Sequence, residues 1–108
     1  MDDTTALVLK KLEEIEAEMH RIGYWKQQQP EFDFSECKEA FCADKLSFEE
    51  WLQFIFLVNA RNAAETNTLP RESMVGLKAV REYDYESVVE EAMHLKKLLL
   101  EFDSIITG

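Results

Sequence analysis

Leu46-Ser47-Phe48-Glu49-Glu50-Trp51-Leu52-Gln53-Phe54-Ile55-Phe56-Leu57-Val58 is the stretch on which the reading of this chain turns. Ser47 followed three residues later by Glu50 fits a capping box, in which each side chain bonds the other residue's backbone N–H. Leu46 and Trp51 stand at the two positions of a hydrophobic staple. Phe48, Trp51, Leu52, Ile55 and Val58 form one stripe at helical spacing, while Phe54, Phe56 and Leu57 fall off it. A helix apolar nearly all round is either central in a bundle or offers a surface to a partner. Asn59 and Asn62 return to the stripe at its far end. They either tie down a loop or line a pocket, or they mark where the helix leaves the core, and we favour the last. The helix is expected to run to about Ala64 and to end before Thr66-Asn67-Thr68-Leu69-Pro70.

Working outward, the N-terminal segment reads as a helix from Asp3 or Thr4 to about Ile22. Val8, Leu12, Ile15, Met19 and Ile22 share one face, and Gly23 is placed for a left-handed C-terminal residue. Lys26 to Lys45 forms a long connection: Pro30 and the glutamine run end regular structure, and Phe32 and Phe34 alternate with acids as in a segment laid over a core. A short helical turn is expected within Ser35 to Cys42. Beyond residue 70, a short helix is expected from Leu77 to about Glu82, because Gly76 weakens a longer one. The last helix is expected to be capped by Asp84, with Glu86 in its first turn. Its face is Tyr85, Val88, Ala92, Leu95, Leu99, Phe102 and Ile106.

These elements define an all-α fold: a small bundle of three long helices plus one short helix, with a long aromatic-containing loop between the first two. One hundred and eight residues form a single domain, 1–108, large enough to fold without staples. Three glycines and two prolines argue against a many-turned β-sandwich. No run approaches a membrane span and the N-terminus is unlike a signal peptide, so a cytoplasmic protein is expected.

Function is less legible. The formal net charge is −10, from 22 acidic against 12 basic residues. Such a balance repels phosphate backbones and anionic lipid, so no direct DNA binding and no membrane partner are expected, and RNA only indirectly. Cys37 and Cys42 are not a C-x-x-C pair and read as free thiols. Glu91-Ala92-Met93-His94 is a lone Glu-x-x-His, whereas a di-metal bundle needs a second copy, which His20 with Glu16 does not supply. There is no phosphate loop, zinc motif or nucleophile elbow. No catalytic residue, metal or cofactor is therefore assigned, and the chain is not expected to be an enzyme. Trp25, Ser47, Glu50, Trp51 and Leu52 are read as structural. Phe54, Phe56 and Leu57 are the candidate surface for an unknown protein partner or for self-association.

Trp25, the Gln29-Pro30 loop, Ala40-Phe41-Cys42-Ala43-Asp44-Lys45-Leu46, Ser47-Phe48-Glu49-Glu50-Trp51-Leu52-Gln53-Phe54 and Leu69-Pro70 together resemble the YqcC-like family of small bacterial proteins of unknown function. The resemblance covers most of the chain. It departs at Ala40, where the family has proline, and at Val58-Asn59, where it has Pro-Arg. It implies a helical bundle in a bacterial cytoplasm and no assigned reaction. Members are often encoded beside a tRNA pseudouridine synthase, which implies an accessory role in tRNA modification as the alternative to a general interaction module.

Overall fold

The computed structural model describes residues 3–28, 36, 38, 45–85 and 87–108. All regular structure among them is helical: α1 (Asp3–Arg21), α2 (Phe48–Trp51), a π-helical turn (Leu52–Phe56), α3 (Leu57–Glu65), α4 (Val75–Tyr83), a 3₁₀ turn (Glu90–Ala92) and α5 (Met93–Thr107). α2, the π turn and α3 run on without a break as one long element. α5 packs against both α1 and α4, and α1 also meets α3.

α1 follows its sequence pattern. Val8, Leu12, Ile15 and Met19 are fully buried in the common core and Ile22 lies half-buried beside it. The helix stops at Gly23, whose φ of +80° costs a glycine nothing. Tyr24 N–H then reaches back to the Met19 carbonyl at 2.8 Å and Gly23 N–H to that of His20 at 3.2 Å, a Schellman closure of the last carbonyls. α3 ends the same way with Asn67 at φ +57°, where Thr68 N–H bonds the Ala63 carbonyl at 2.8 Å.

The second long helix starts at the expected capping box. Glu50 N–H donates to Ser47 Oγ at 3.2 Å, and Ser47 N–H to Glu50 Oε1 at 3.0 Å. Its buried face then departs from the straight stripe. Leu57 N–H bonds the carbonyl of Leu52, five residues back instead of four. In an unbroken α-helix Leu57 would lie about 140° round from Leu52, at about 100° per residue. The wider turn absorbs that angle, so both leucines face the core.

Two expected boundaries move. α4 begins at Val75, not Leu77, with Gly76 inside its first turn. A Cβ on Gly76 would stand 2.6 Å from Leu100 Cα, so the glycine that weakens the helix is what lets α4 lie against α5. The last helix starts later than Asp84: residues 84, 85 and 87–89 are not helical and Tyr85 is 79% exposed. Val89 N–H bonds the Tyr83 carbonyl at 2.8 Å, and the Asp84 carboxylate pairs with Lys96 at 3.0 Å instead of capping a helix. Ala92, Leu95, Leu99 and Phe102 are buried as their spacing requires. Cys37, Cys42, Phe32, Phe34, Pro30 and Glu86, and the turn expected within Ser35 to Cys42, lie outside the described residues, Glu36 and Lys38 apart.

Candidate functional site

The π turn decides which side chains of the second helix are available. Leu57 is 1% and Phe56 9% exposed, so neither presents the surface expected of it, and only Phe54, half-buried, lies partly open. The reason is the extra residue in the turn. It carries Phe56 and Leu57 inward, where Phe56 meets the edge of Phe102 at 5.0 Å and stacks beside Trp51 at 5.6 Å. By the same rotation Ile55 is left half-buried and Val58, expected in the stripe, is exposed. Asn59 and Asn62 are both exposed, and Asn59 lines a cleft, one of the two alternatives read from the sequence.

Ile55 therefore faces a cleft instead of the centre. Trp51, Ile55, Asn59, Ala60 and Ala63 form one wall and Leu69, Pro70, Glu72 and Met74 the other, over a floor of Phe56, Val75 and Phe102, enclosing about 320 Å³. That volume is at the lower end of ligand-binding cavities. Met74 at its edge is 60% exposed. Asn59 and Glu72 bring the polar groups of the rim, and neither has a hydrogen-bond or ion-pair partner among the described residues. Ser73 is already spent: its hydroxyl donates to Asp103 Oδ1 at 2.5 Å.

Asp103 sets the far wall. Besides the Ser73 contact, its Oδ1 accepts from Val75 N–H at 3.1 Å and its Oδ2 from Gly76 N–H at 2.7 Å. A carboxylate from α5 thus caps α4, satisfying donors that the local sequence leaves open, since Met74 offers no side-chain oxygen. The segment before α4 is tied to α5 in consequence.

The near wall is held from the other end. Gln53 is buried, its Oε1 accepting from Lys26 N–H and its Nε2 donating to the Lys26 carbonyl, both at 2.8 Å. This bidentate clamp ties the segment after α1 to the π turn. Trp25, one residue earlier, is half-buried and stacks on His20 at 4.5 Å, in keeping with a packing role. Neither Gln53 nor Asp103 stood out in the sequence. The signal for Gln53 was a single amide inside an otherwise apolar run.

Two further hollows are more polar. One is lined by Leu7, Lys10, Lys11, Glu14, Glu101, Ser104 and Ile105. There Lys11 pairs with Glu14 at 3.1 Å and with Glu101 at 3.0 Å, and these hydrogen bonds hold its pKa up although burial alone pulls it down. The other lies over Tyr24, Trp25 and Glu49. Glu49 Oε1 accepts from the buried Tyr83 hydroxyl at 2.8 Å, and burial followed by the charge of Glu49 pushes the Tyr83 phenol far above its ordinary range. Burial and then the nearby Glu91 raise Tyr24 as well. On α1, the Arg21 guanidinium clasps the buried Glu18 carboxylate and lowers its pKa. Among the described residues no group of three or more His, Cys, Asp or Glu is placed to hold a metal ion, and Glu91 and His94 are both exposed. No described helix is long and apolar enough to cross a membrane.

A family model described as tRNA pseudouridine synthase C, for the domain of unknown function DUF446, matches residues 7–105. The chain belongs to the DUF446 family. The match takes in most of α1 and α5 and all that lies between, and so both walls of the cleft and the two polar anchors that hold them. No curated protein and no solved structure matches the chain.

Proposed function

We propose that this DUF446 protein is a non-catalytic interaction module that holds a protein partner in the cleft between α3 and the segment ahead of α4. One observation carries the reading: an apolar cleft of about 320 Å³ stands open, with Met74 and Ile55 on its walls, while Ser73 and Asp103 beside it are engaged in keeping its shape. Apolar surface left uncovered beside a well-filled core is the signature of a contact site. Of the surface read from the sequence, half-buried Phe54 remains a candidate contributor. The Glu18 carboxylate, whose pKa is lowered, is bound to Arg21, and the raised phenols of Tyr24 and Tyr83 donate to Glu91 and Glu49, an arrangement that supports structure more than acid–base catalysis.

The family description favours a second reading, that the module serves tRNA modification as an accessory to a pseudouridine synthase. The resemblance to the YqcC-like proteins points the same way. A net charge of −10 suits binding to the basic surface of such an enzyme better than binding to tRNA. Both readings are tested by mixing the purified protein with the pseudouridine synthase encoded in the same genome and with unmodified tRNA. We expect no pseudouridine from the protein alone and a complex with the enzyme by sedimentation. Pseudouridine formed by the protein alone would overturn the non-catalytic reading; absence of a complex would remove the accessory one.

A further inference from the structure

We infer that the occupant of the cleft is a basic amphipathic helix of a partner protein, an inference that rests on the interaction reading above and names the chemistry of its partner. The walls determine the shape of what enters. The backbone of α3 is bonded within its own helix, and Pro70 opposite has no N–H to offer. An extended peptide would find no backbone partner along α3, whereas a helix brings its own hydrogen bonds. Ala60 and Ala63 leave room for a large side chain, and Trp51, Ile55, Leu69 and Met74 give it apolar contact.

Charge selects the partner's sign. Glu72 at the rim can only accept hydrogen bonds and makes no ion pair among the described residues. A second copy of this chain would bring another net −10 to the same rim, so self-association is opposed and a lysine- or arginine-bearing helix is favoured. Asn59, exposed on the facing wall, supplies a donor and an acceptor for a polar side chain flanking the apolar anchors.

The test is a heteronuclear NMR titration of the full chain with an 18-residue helical peptide of leucines on one face and lysines on the other. Its counterpart carries glutamates for the lysines. The result expected is saturable shifts confined to α3 and residues 69–75, with affinity at least tenfold weaker for Glu72→Lys and for Met74→Lys. The glutamate peptide should bind at least tenfold more weakly. No saturable shift, shifts spread over the acidic surface, or affinity unchanged by both substitutions would overturn the inference. So would equal binding of the two peptides. Both variants change exposed residues, and unchanged spectra of the core confirm that they fold. Failure here alongside a stable synthase complex would sink the assignment of cleft and helix while leaving the accessory reading in place.

Discussion

The side-chain amide of Gln53 bonds both backbone groups of Lys26, accepting from its N–H and donating to its carbonyl at 2.8 Å each. Gln53 is thereby satisfied in a site where an unpaired amide would cost more than its bonds contribute. Replacing it with leucine keeps the volume and strands the Lys26 groups. We expect Gln53→Leu to lose about 1–3 kcal/mol of stability in urea unfolding. Gln53→Glu should lose more, since a carboxylate cannot donate to the Lys26 carbonyl and its charge is poorly hydrated there. A neutral effect of both would show that the clamp holds nothing together.

The register change at the π turn makes opposite predictions for adjacent residues. Leu57→Ala should cost about 2–5 kcal/mol, as for a leucine in a packed core. Val58→Ala should fall within about 0.5 kcal/mol of wild type, as at an ordinary surface position. Chemical denaturation of the two variants decides it. A helix with the straight stripe of Phe48, Trp51, Leu52, Ile55 and Val58 would reverse the order.

Gly76 sets helix propensity against packing. Alanine is favoured over glycine in a helix by about 1 kcal/mol. Here its Cβ would meet Leu100 Cα at 2.6 Å and Leu100 N at 2.7 Å, backbone atoms that move only if α4 and α5 separate. Overpacking of that kind costs about 1–3 kcal/mol, so packing wins and Gly76→Ala should destabilise. Asp103→Ala, which removes the cap from α4, should cost about 0.5–2 kcal/mol. Thermal unfolding checks both, and a stabilised Gly76→Ala would mean that the two helices are further apart.

Tyr83 gives the fold an alkaline limit. Its phenol, buried and bonded to Glu49, has a folded pKa above the ordinary 10.0. At pH values above 10 the unfolded chain releases this proton while the folded chain keeps it, so stability falls as pH rises. The contribution is complete below pH 10. Urea midpoints measured from pH 8 to 11 should decline on the alkaline side, and Tyr83→Phe should make the decline shallower. The same variant should be less stable at pH 8 by about 1.5–3 kcal/mol, the usual worth of a hydrogen bond to a charged group. An unchanged alkaline slope would contradict the burial of this hydroxyl.

The architecture was legible wherever local pattern and tertiary packing ask for the same residue. Val8, Leu12, Ile15 and Met19 repeat at helical steps and are buried, and Ser47 with Glu50 closes the capping box written in the sequence. The pattern failed where a distant residue settles the matter. α4 starts early because Asp103, 28 residues beyond Val75, supplies its cap. The last helix starts late because the Asp84 carboxylate is taken by Lys96. Phe56 and Leu57 were misplaced because nothing in Leu52-Gln53-Phe54-Ile55-Phe56 announces a π turn: no proline or glycine marks it. The cleft was hidden for the same reason, since its walls come from residues 51–63 and 69–75 brought together by that turn.

The most direct measurement on the central claim is site-specific photo-crosslinking in cells. A benzophenone amino acid would be placed at Met74, on the cleft, and separately at Leu7, an exposed apolar residue outside it. Crosslinked peptides would then be identified by mass spectrometry. The account predicts an adduct from Met74 that maps to a lysine- or arginine-rich amphipathic helix of another protein, and none from Leu7. No adduct from Met74, or the same adducts from both positions, would contradict it.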